Sequence, residues 1–178
     1  MRKLTVLEMD RISEEEFHRA KKLPLTVVLD NVRSQHNVGS VFRTADAFRI
    51  EKIILTGICC CPPNPDIHKT ALGAENSVDW SYEADSLKAV RDLQKEGYTV
   101  FAIEQAEGSQ MLSELKLKTG GKYAIVLGHE VKGVRQEVVD AADGCIEIPQ
   151  YGTKHSLNVS VAAGIVLWEC FEQLKNCL

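Results

Sequence analysis

The residues best suited to chemistry lie in the segment Ile148–Ile165, near the carboxyl end of the chain. A turn built on Pro149 and Gly152 leads into a polar cluster, and an apolar helix is predicted to follow. The polar residues are Lys154, His155, Ser156 and Asn158. Polar groups on a tight loop at a helix N-terminus form a binding site, because the unpaired N–H groups there face outward. The same pattern is also typical of a simple helix cap.

Two further segments, Asn37–Asp46 and Ile125–Val134, place polar residues beside apolar runs. The first has the form N-x-G-x-x-x-R-T, filled by Asn37, Gly39, Arg43 and Thr44. The second has the form G-x-E-x-x-G after an apolar strand, filled by Gly128, Glu130 and Gly133. The carboxyl-end segment has the form I-P-x-x-G-x-x-x-S-L-N, filled by Ile148, Pro149, Gly152, Ser156, Leu157 and Asn158.

In this order the three motifs resemble the SpoU (TrmH-like) family of RNA ribose 2'-O-methyltransferases, which belongs to the knotted SPOUT class. The resemblance runs from Leu25 to Leu174. It implies S-adenosylmethionine as the cofactor and RNA as the substrate. It also implies that the catalytic residues are Arg43, Asn37, Glu130, Ser156 and Asn158.

The family position of Arg43 makes it the essential arginine. A guanidinium normally stays charged, so a role as phosphate clamp and hydroxyl orienter is favoured over a role as base. The alternative is a surface arginine paired with Asp46 three residues further along the helix. We expect Glu130 to bond Arg43 or a neighbouring loop. Ser156 and Asn158 are expected to bind the cofactor, to cap the last helix, or to do both.

The resemblance also implies where the cofactor lies. Its adenine is expected among the loop backbones at the ends of three strands, next to the last motif. The cofactor-binding residues are then Ile103, Glu104, Leu127, Gly128, Ile148, Ser156 and Leu157. Carboxyl ends of parallel strands are where open α/β sheets bind ligands. The sequence contains neither the G-x-x-x-x-G-K-[ST] nor the G-x-G-x-x-G phosphate loop, and this cofactor requires neither.

Continuous apolar runs predict strands that are buried on both faces, and they alternate with helical segments. The predicted strands are Leu25–Leu29, Lys52–Thr56, Thr99–Ile103, Tyr123–Leu127 and Cys145–Ile148, with a short edge strand at Ser77–Trp80. The predicted helices are Val38–Phe48, Leu87–Lys95, Gln136–Ala142 and Leu157–Leu174, with a short one after the capping box at Ser13. Three prolines predict that Gly57–Asp66 is irregular, and His68–Asn76 reads as a helical turn broken at Gly73.

This alternation predicts an α/β fold, a mostly parallel sheet with helices on both faces. We expect one domain over residues 1–178, with 1–22 as a short N-terminal extension. Physical expectation disfavours threaded chains, so the deep C-terminal trefoil knot is implied by the resemblance alone. The helix predicted at Leu157–Leu174 is apolar almost all round and must be buried on several sides. Threading of the chain, a dimer partner or ordinary packing under the sheet would each bury this helix.

The formal net charge is −4, which disfavours indiscriminate nucleic-acid binding. The charge is uneven, however, because residues 75–107 carry eight acids against three bases. Basic residues gather around the motifs instead: Arg33, Arg43, Arg49, Lys132, Arg135 and Lys154. A local basic cluster is expected to bind RNA in a salt-dependent way.

The six cysteines lack the spacing of a zinc site or a disulfide framework, since Cys59, Cys60 and Cys61 are adjacent. We therefore expect free thiols and no metal. The longest apolar stretch, Val159–Trp168, is shorter than the roughly 20 residues needed to cross a bilayer. The expectation is a cytoplasmic protein with no membrane partner.

The function favoured by the sequence is an S-adenosylmethionine-dependent RNA ribose 2'-O-methyltransferase acting as a homodimer. A dimer is implied because the arginine of the first motif completes a site across the interface in this family. Only residues 1–22 precede the expected domain, which favours tRNA over rRNA as the substrate. The alternatives are an rRNA methyltransferase and a catalytically silent RNA-binding protein on the same fold. The sequence does not identify the methylated nucleotide.

Overall fold

A parallel sheet forms the centre of the protein. The computed structural model describes the backbone of residues 1–178 and every side chain except those at positions 6 and 7. Its strands are β1 (Leu23–Asp30), β2 (Ile50–Thr56), β3 (Trp80–Glu83), β4 (Tyr98–Ile103), β5 (Gln110–Met111), β6 (Lys122–Leu127) and β7 (Gly144–Glu147). Their order is β3-β2-β1-β6-β4-β7-β5, and every pairing is parallel. The carboxyl ends of all these strands therefore lie along one edge.

Helices cover both faces of this sheet, as the sequence predicts. They are α1 (Glu14–Arg19), α2 (Gln35–Ala47), α3 (Pro65–Ala71), α4 (Ala74–Ser77), α5 (Ser86–Lys95), α6 (Gln136–Ala141) and α7 (Val159–Leu174). Neighbouring residues of β1 point to opposite faces. Val27 belongs to the core beneath α2, α3 and α7, whereas Val28 belongs to the core beneath α5 and α6. The central strands β1 and β6 are buried on both sides, which is why they read as continuous apolar runs.

The edge strand was predicted in the wrong place. Residues 77–80 were expected to form it, but Ser77 ends α4 and the strand β3 begins only at Trp80. The reason is local backbone geometry. Leu72 and Gly73 both have positive φ, 54° and 96°, and this reversal allows a second helical turn to start at Ala74. The strand is nevertheless at the edge of the sheet, next to β2.

Two helices begin earlier than predicted because side chains cap them. The helix α3 starts at Pro65, inside the segment expected to be irregular. Proline is tolerated in the first helical turn, and the Asn64 side chain accepts a hydrogen bond from the Asp66 N–H at 2.9 Å. The helix α2 starts at Gln35 rather than Val38, because the Ser34 hydroxyl accepts from the Asn37 N–H.

A buried carboxylate joins three elements at the carboxyl edge. Asp30, the last residue of β1, is fully buried and accepts hydrogen bonds from the Arg135 N–H at 2.9 Å, the Ser86 hydroxyl at 2.7 Å and the Asn31 amide at 2.8 Å. The Arg135 guanidinium lies 3.5 Å from the same carboxylate. It also pairs with two further acids, Asp85 and Glu137. Arg135 therefore belongs to this structural cluster, and the expectation that it contributes free positive charge for RNA is wrong.

We predict that Asp30→Ala lowers the free energy of unfolding by about 2–4 kcal/mol, because it leaves a hydroxyl, two N–H donors and a guanidinium without their shared acceptor. Denaturant unfolding measures this change. Asp79→Ala is the matched control, because Asp79 is exposed and only approaches His18 at 3.9 Å; its effect should stay within about 0.5 kcal/mol. Equal effects of the two substitutions would contradict this account of the cluster.

Candidate functional site

A cavity of about 900 Å³ opens at the carboxyl ends of β4, β6 and β7. The segments that follow these three strands form its walls. All seven residues predicted to bind a cofactor line it: Ile103, Glu104, Leu127, Gly128, Ile148, Ser156 and Leu157. Ile103 and Leu127 end their strands and Ile148 directly follows β7, while Ser156 and Leu157 come from the loop before α7. The structure thus brings together side chains from positions 103 to 157 of the sequence.

The loop after β6 owes its shape to its two glycines. A side chain at Gly128 would place its Cβ 2.1 Å from the carbonyl carbon of Gly133, so the loop can close only without one. Gly133 has φ +67°, and a Cβ there would lie 2.0 Å from an oxygen of Glu104. Two reciprocal backbone hydrogen bonds between His129 and Gly133, of 3.0 and 2.8 Å, close the loop. The spacing G-x-E-x-x-G is therefore a packing requirement.

The carboxylate of Glu104 connects the end of β4 to this loop. One oxygen accepts a hydrogen bond from the Val134 N–H at 3.0 Å, and the other accepts from the Gln105 N–H at 2.9 Å. Gln105 in turn donates from its amide to the His155 carbonyl at 2.5 Å. The three segments that line the cavity are thereby joined to one another.

Glu130 anchors the same loop to the start of α2. Its carboxylate accepts hydrogen bonds from the Arg33 N–H at 3.0 Å, the Ser34 N–H at 2.8 Å and the Asn37 amide at 3.0 Å. Of the two contacts expected for Glu130, the structure forms the one with a neighbouring loop and not the one with Arg43. Both carboxylate oxygens are occupied by donors that belong to the helix N-terminus.

These donors keep Glu130 ionised. Partial burial raises its pKa, but the hydrogen bonds from Arg33, Ser34 and Asn37 outweigh that effect and bring the pKa to about 2. A carboxyl with a depressed folded pKa stabilises the fold above its unfolded pKa of about 4.3, and this contribution is lost as the pH falls through about 2. The anchor is therefore intact at neutral pH.

Asn37 and Asn158 extend this anchor to the last helix. The Asn158 amide donates to the Asn37 side-chain oxygen at 3.1 Å. The Asn158 side-chain oxygen accepts from the N–H of Ser160 at 2.9 Å and caps α7. Glu130, Asn37 and Asn158 thus form one continuous chain of hydrogen bonds, which we call the hub. It links all three sequence motifs.

Asn158 alone caps the last helix. Of the two candidates for this role, Ser156 is exposed and lies in the wall of the cavity, two residues before the cap. The helix consequently begins at Val159 and not at the predicted Leu157. The hydroxyl of Ser156 is left facing the cavity region rather than committed to the backbone of α7.

Arg43 projects from α2 as an exposed side chain. Within the described part of the chain it makes no hydrogen bond and no ion pair, so the alternative pairing with Asp46 does not form. The opposite side of α2 is buried through Val38, Val41 and Phe42. Gly39 serves close helix packing, because a Cβ there would lie 2.2 Å from the Ile67 carbonyl oxygen of α3. Arg43 does not line the cavity, and its side chain is exposed to solvent.

Sequence reasoning overlooked His129 and the structural role of Glu104. In both cases the sequence contained a feature that could have indicated the role of the residue. His129 is an imidazole between two motif residues, and Glu104 is a carboxylate that directly follows an apolar strand.

The residues that the structure describes contain no group of histidines, cysteines or acids able to hold a metal, and their six cysteines are free thiols. Burial raises the pKa of Cys59 to about 11. Nor is any helix among them long and apolar enough to span a membrane.

Comparison with known proteins agrees with this geometry. Over 175 residues the chain is 34% identical to the tRNA (guanosine(18)-2'-O)-methyltransferase of Thermus thermophilus, covering 97% of this chain and 86% of that enzyme. It is 32% identical over 167 residues to the 23S rRNA (guanosine-2'-O-)-methyltransferase of Xanthomonas axonopodis, covering 93% of this chain and 64% of that enzyme. The chain thus spans slightly less than two thirds of the rRNA relative.

Solved structures show the same fold. The TrmH/SpoU tRNA modifying enzyme of A. aeolicus superimposes with a TM-score of 0.80 at 26% identity, covering 97% of this chain and 86% of that one. An AdoMet-bound rRNA methyltransferase from Sinorhizobium meliloti gives a TM-score of 0.79 at 29% identity, covering 92% and 62%. The SpoU rRNA Methylase family matches residues 24–168, a span that contains all three motifs, the cavity and the hub. This chain belongs to the SpoU rRNA methylase family.

Proposed function

We propose that this protein transfers a methyl group from S-adenosylmethionine to a ribose 2'-hydroxyl of RNA. One observation carries the proposal: a ligand-sized cavity and an unpaired arginine are joined through the hydrogen-bonded hub. The relatives are named as guanosine-2'-O-methyltransferases, which supports the same reaction here. We propose tRNA as the substrate, supported by the 34% identity over 175 residues to the tRNA (guanosine(18)-2'-O)-methyltransferase, and rRNA is the alternative that the other relative represents.

The cavity fits the proposed cofactor. Its volume of about 900 Å³ lies within the roughly 300–1,000 Å³ of small-molecule sites. Ile103, Leu127 and Ile148 would form the apolar walls around adenine, while backbone groups of Gly128 and Leu157 would meet its polar edge. Ser156 would bind the ribose or the carboxylate of the methionine moiety. The bound cofactor supplies an electrophilic methyl group.

The remaining task for the protein is to present the 2'-hydroxyl. That group is a weak nucleophile, so it must be aligned with the methyl group and stabilised as its proton passes to solvent water. Glu130 is unsuited to take this proton, because its pKa is about 2 and its oxygens already accept three hydrogen bonds. Arg43 is the free charged group on the adjacent helix. We assign it the role of holding an RNA phosphate and stabilising the developing alkoxide electrostatically.

The chain path supports the C-terminal knot that the resemblance implies, and we include the knot in the proposal. After β7 the chain lies against the loops that follow β4 and β5: Gln105 bonds the His155 carbonyl, and Gln173 of α7 bonds both the Leu115 carbonyl and the Leu117 N–H. The helix α7 then packs on α2 and β1. A segment held on several sides in this way is consistent with threading through those loops.

We further propose that the protein acts as a homodimer through α7. One side of this helix is buried through Ala163, Val166 and Leu167, but the other leaves Val161 50% and Trp168 51% exposed. The Trp168 ring lies 5.8 Å from both Phe48 and Phe171, which makes an aromatic patch next to α2. A second copy would cover these apolar groups, and the patch lies on the two helices that carry Arg43 and the cap residue Asn158.

We predict that Arg43→Ala abolishes methyl transfer to RNA but leaves S-adenosylmethionine affinity within a few-fold, because Arg43 lies outside the cavity. Methyl transfer is followed with labelled cofactor on tRNA, and cofactor binding by calorimetry. Arg43→Lys is the matched control: it retains a charge but lacks the fork that binds phosphate at two points, so its activity should be intermediate.

Loss of cofactor binding by a folded Arg43→Ala protein would show that the role of this arginine is misassigned. Failure of the unaltered protein to bind the cofactor would instead support a catalytically silent RNA-binding protein.

We predict a dimer in sedimentation at micromolar concentration and a shift toward monomer for Trp168→Glu, because a charge at that position would have to be buried in the interface. Ile58→Glu is the control, since Ile58 is 57% exposed but lies far from α7 in the chain, before α3. It should leave the dimer intact. An unaltered protein that is monomeric and still methylates RNA would overturn the α7 interface.

A further inference from the structure

The side chain of His129 fixes the apex of the loop that lines the cavity. Its Nδ1 atom accepts a hydrogen bond from the Val131 N–H at 3.0 Å and a longer one from the Lys132 N–H at 3.4 Å. Val131 itself is 81% exposed, so packing does not hold the apex in place. Among the described residues, the imidazole is the acceptor that these two N–H groups share.

Other parts of this loop have anchors of their own. Glu130 is tied to the start of α2, and Val134 is tied to Glu104. The two backbone bonds between His129 and Gly133 close the base of the loop. Between these fixed points, the His129 ring is the side chain that bonds the backbone of residues 131 and 132 among the residues that the structure describes. Because all of residues 128–134 line the cavity, the position of the apex affects the shape of the cavity.

The hydrogen bond requires a particular protonation state. An imidazole nitrogen that accepts from an N–H must carry a lone pair, so the ring is neutral and its proton resides on Nε2. Protonation of Nδ1 turns the acceptor into a donor that faces two further donors. This replaces an attraction with a repulsion at the apex. Imidazoles ordinarily make this change between roughly pH 5 and pH 8.

We propose that His129 is a positioning residue that holds the loop in its cofactor-binding shape only while its imidazole is neutral, so that cofactor affinity falls as the pH falls. This inference rests on the proposed function, because it assigns the cavity to S-adenosylmethionine. The residue acts through the backbone of Val131 and Lys132 and needs no contact with the reacting atoms. The direction of the pH dependence follows from the geometry. The neutral imidazole holds the apex in the shape that binds the cofactor, and the protonated imidazole releases the apex.

Other charged groups share the cavity wall and must be separated from His129 in any pH experiment. They are Glu104 and Glu107 after β4, Glu130 and Lys132 in the loop itself, Asp140 in α6 and His155 after β7. Carboxylates and lysine ordinarily titrate outside the range from pH 5.5 to 8. His155 is a second imidazole in the cavity wall, so the comparison must be between proteins that differ only at position 129.

Asparagine provides that comparison. Its side-chain oxygen is attached to Cγ just as Nδ1 is in histidine, and asparagine commonly accepts from an N–H two residues further along the chain. His129→Asn therefore keeps the hydrogen bond and removes the titration, whereas His129→Ala removes both. All three proteins keep His155 and every acid of the cavity.

Two measurements on the full-length protein test the proposal. Hydrogen exchange of the 129–133 amides, without any ligand, reports on the apex itself. Calorimetry with S-adenosylhomocysteine between about pH 5.5 and pH 8 reports on the cavity. We expect His129→Ala to exchange faster and to bind about five- to tenfold more weakly at pH 8, the effect of losing about one hydrogen bond. The unaltered protein should weaken by a similar factor toward pH 5.5, and His129→Asn should hold its affinity at every pH.

Identical pH profiles for the unaltered protein and His129→Asn would overturn the proposal. So would unchanged amide exchange in His129→Ala, whether or not the ligand binds. If S-adenosylhomocysteine failed to bind the unaltered protein at any pH, the proposed function would fall, while amide exchange would still decide whether His129 holds the apex.

Discussion

The hydrogen-bonded hub of Glu130, Asn37 and Asn158 is the interaction on which the site depends. Each of its members lies at the start of a helix or in a glycine-closed loop, where backbone donors are unpaired and a side chain can satisfy them. The hub joins positions 37, 130 and 158, which the chain brings together only when the sheet is complete. The loop beside the cavity, the helix with Arg43 and the last helix are therefore tied to one another by side-chain hydrogen bonds.

The charged groups near the hub differ in whether they are paired within the protein. Glu130 is committed to backbone donors and Arg135 is committed to three acids. Arg43, by contrast, has no partner in the described structure and extends from a helix whose start is fixed by Glu130. A charge that is held in position but left unpaired is suited to bind a phosphate. In a protein with net charge −4, the RNA contacts that we propose would be confined to the region around this arginine.

Much of the fold follows from local signals in the sequence. Buried parallel strands need apolar residues on both faces, so β1, β2, β4, β6 and β7 stand out as apolar runs. The seven positions proposed to bind the cofactor came from the family resemblance, and they line one cavity because strand ends meet at the carboxyl edge of a parallel sheet. The short elements were not predictable from the sequence. The strand β5 has only two residues, and β3 begins later than expected because a helical turn starts after Gly73.

What the sequence could not reveal depends on partners that are remote in the chain. Arg135 reads as a free basic residue until its guanidinium pairs with Asp30, 105 positions away, and with Asp85. Ser156 and Asn158 are equally good caps by residue type, and the structure uses Asn158, which also bonds Asn37, 121 positions away. The role of His129 likewise depends on the fold of a loop in which Gly128 and Gly133 approach each other.

A double-mutant cycle between Asn37→Ala and Asn158→Ser tests the central claim most directly. Serine keeps the cap on α7 but lacks the amide that bonds Asn37, so the cycle isolates the link between the two motifs. The quantity to measure is kcat/KM for methyl transfer to RNA in all four proteins. The account predicts that the double mutant is little worse than either single mutant, with a coupling free energy of about 0.5–3 kcal/mol. Strictly additive losses would contradict it, because they would mean that the two residues act independently.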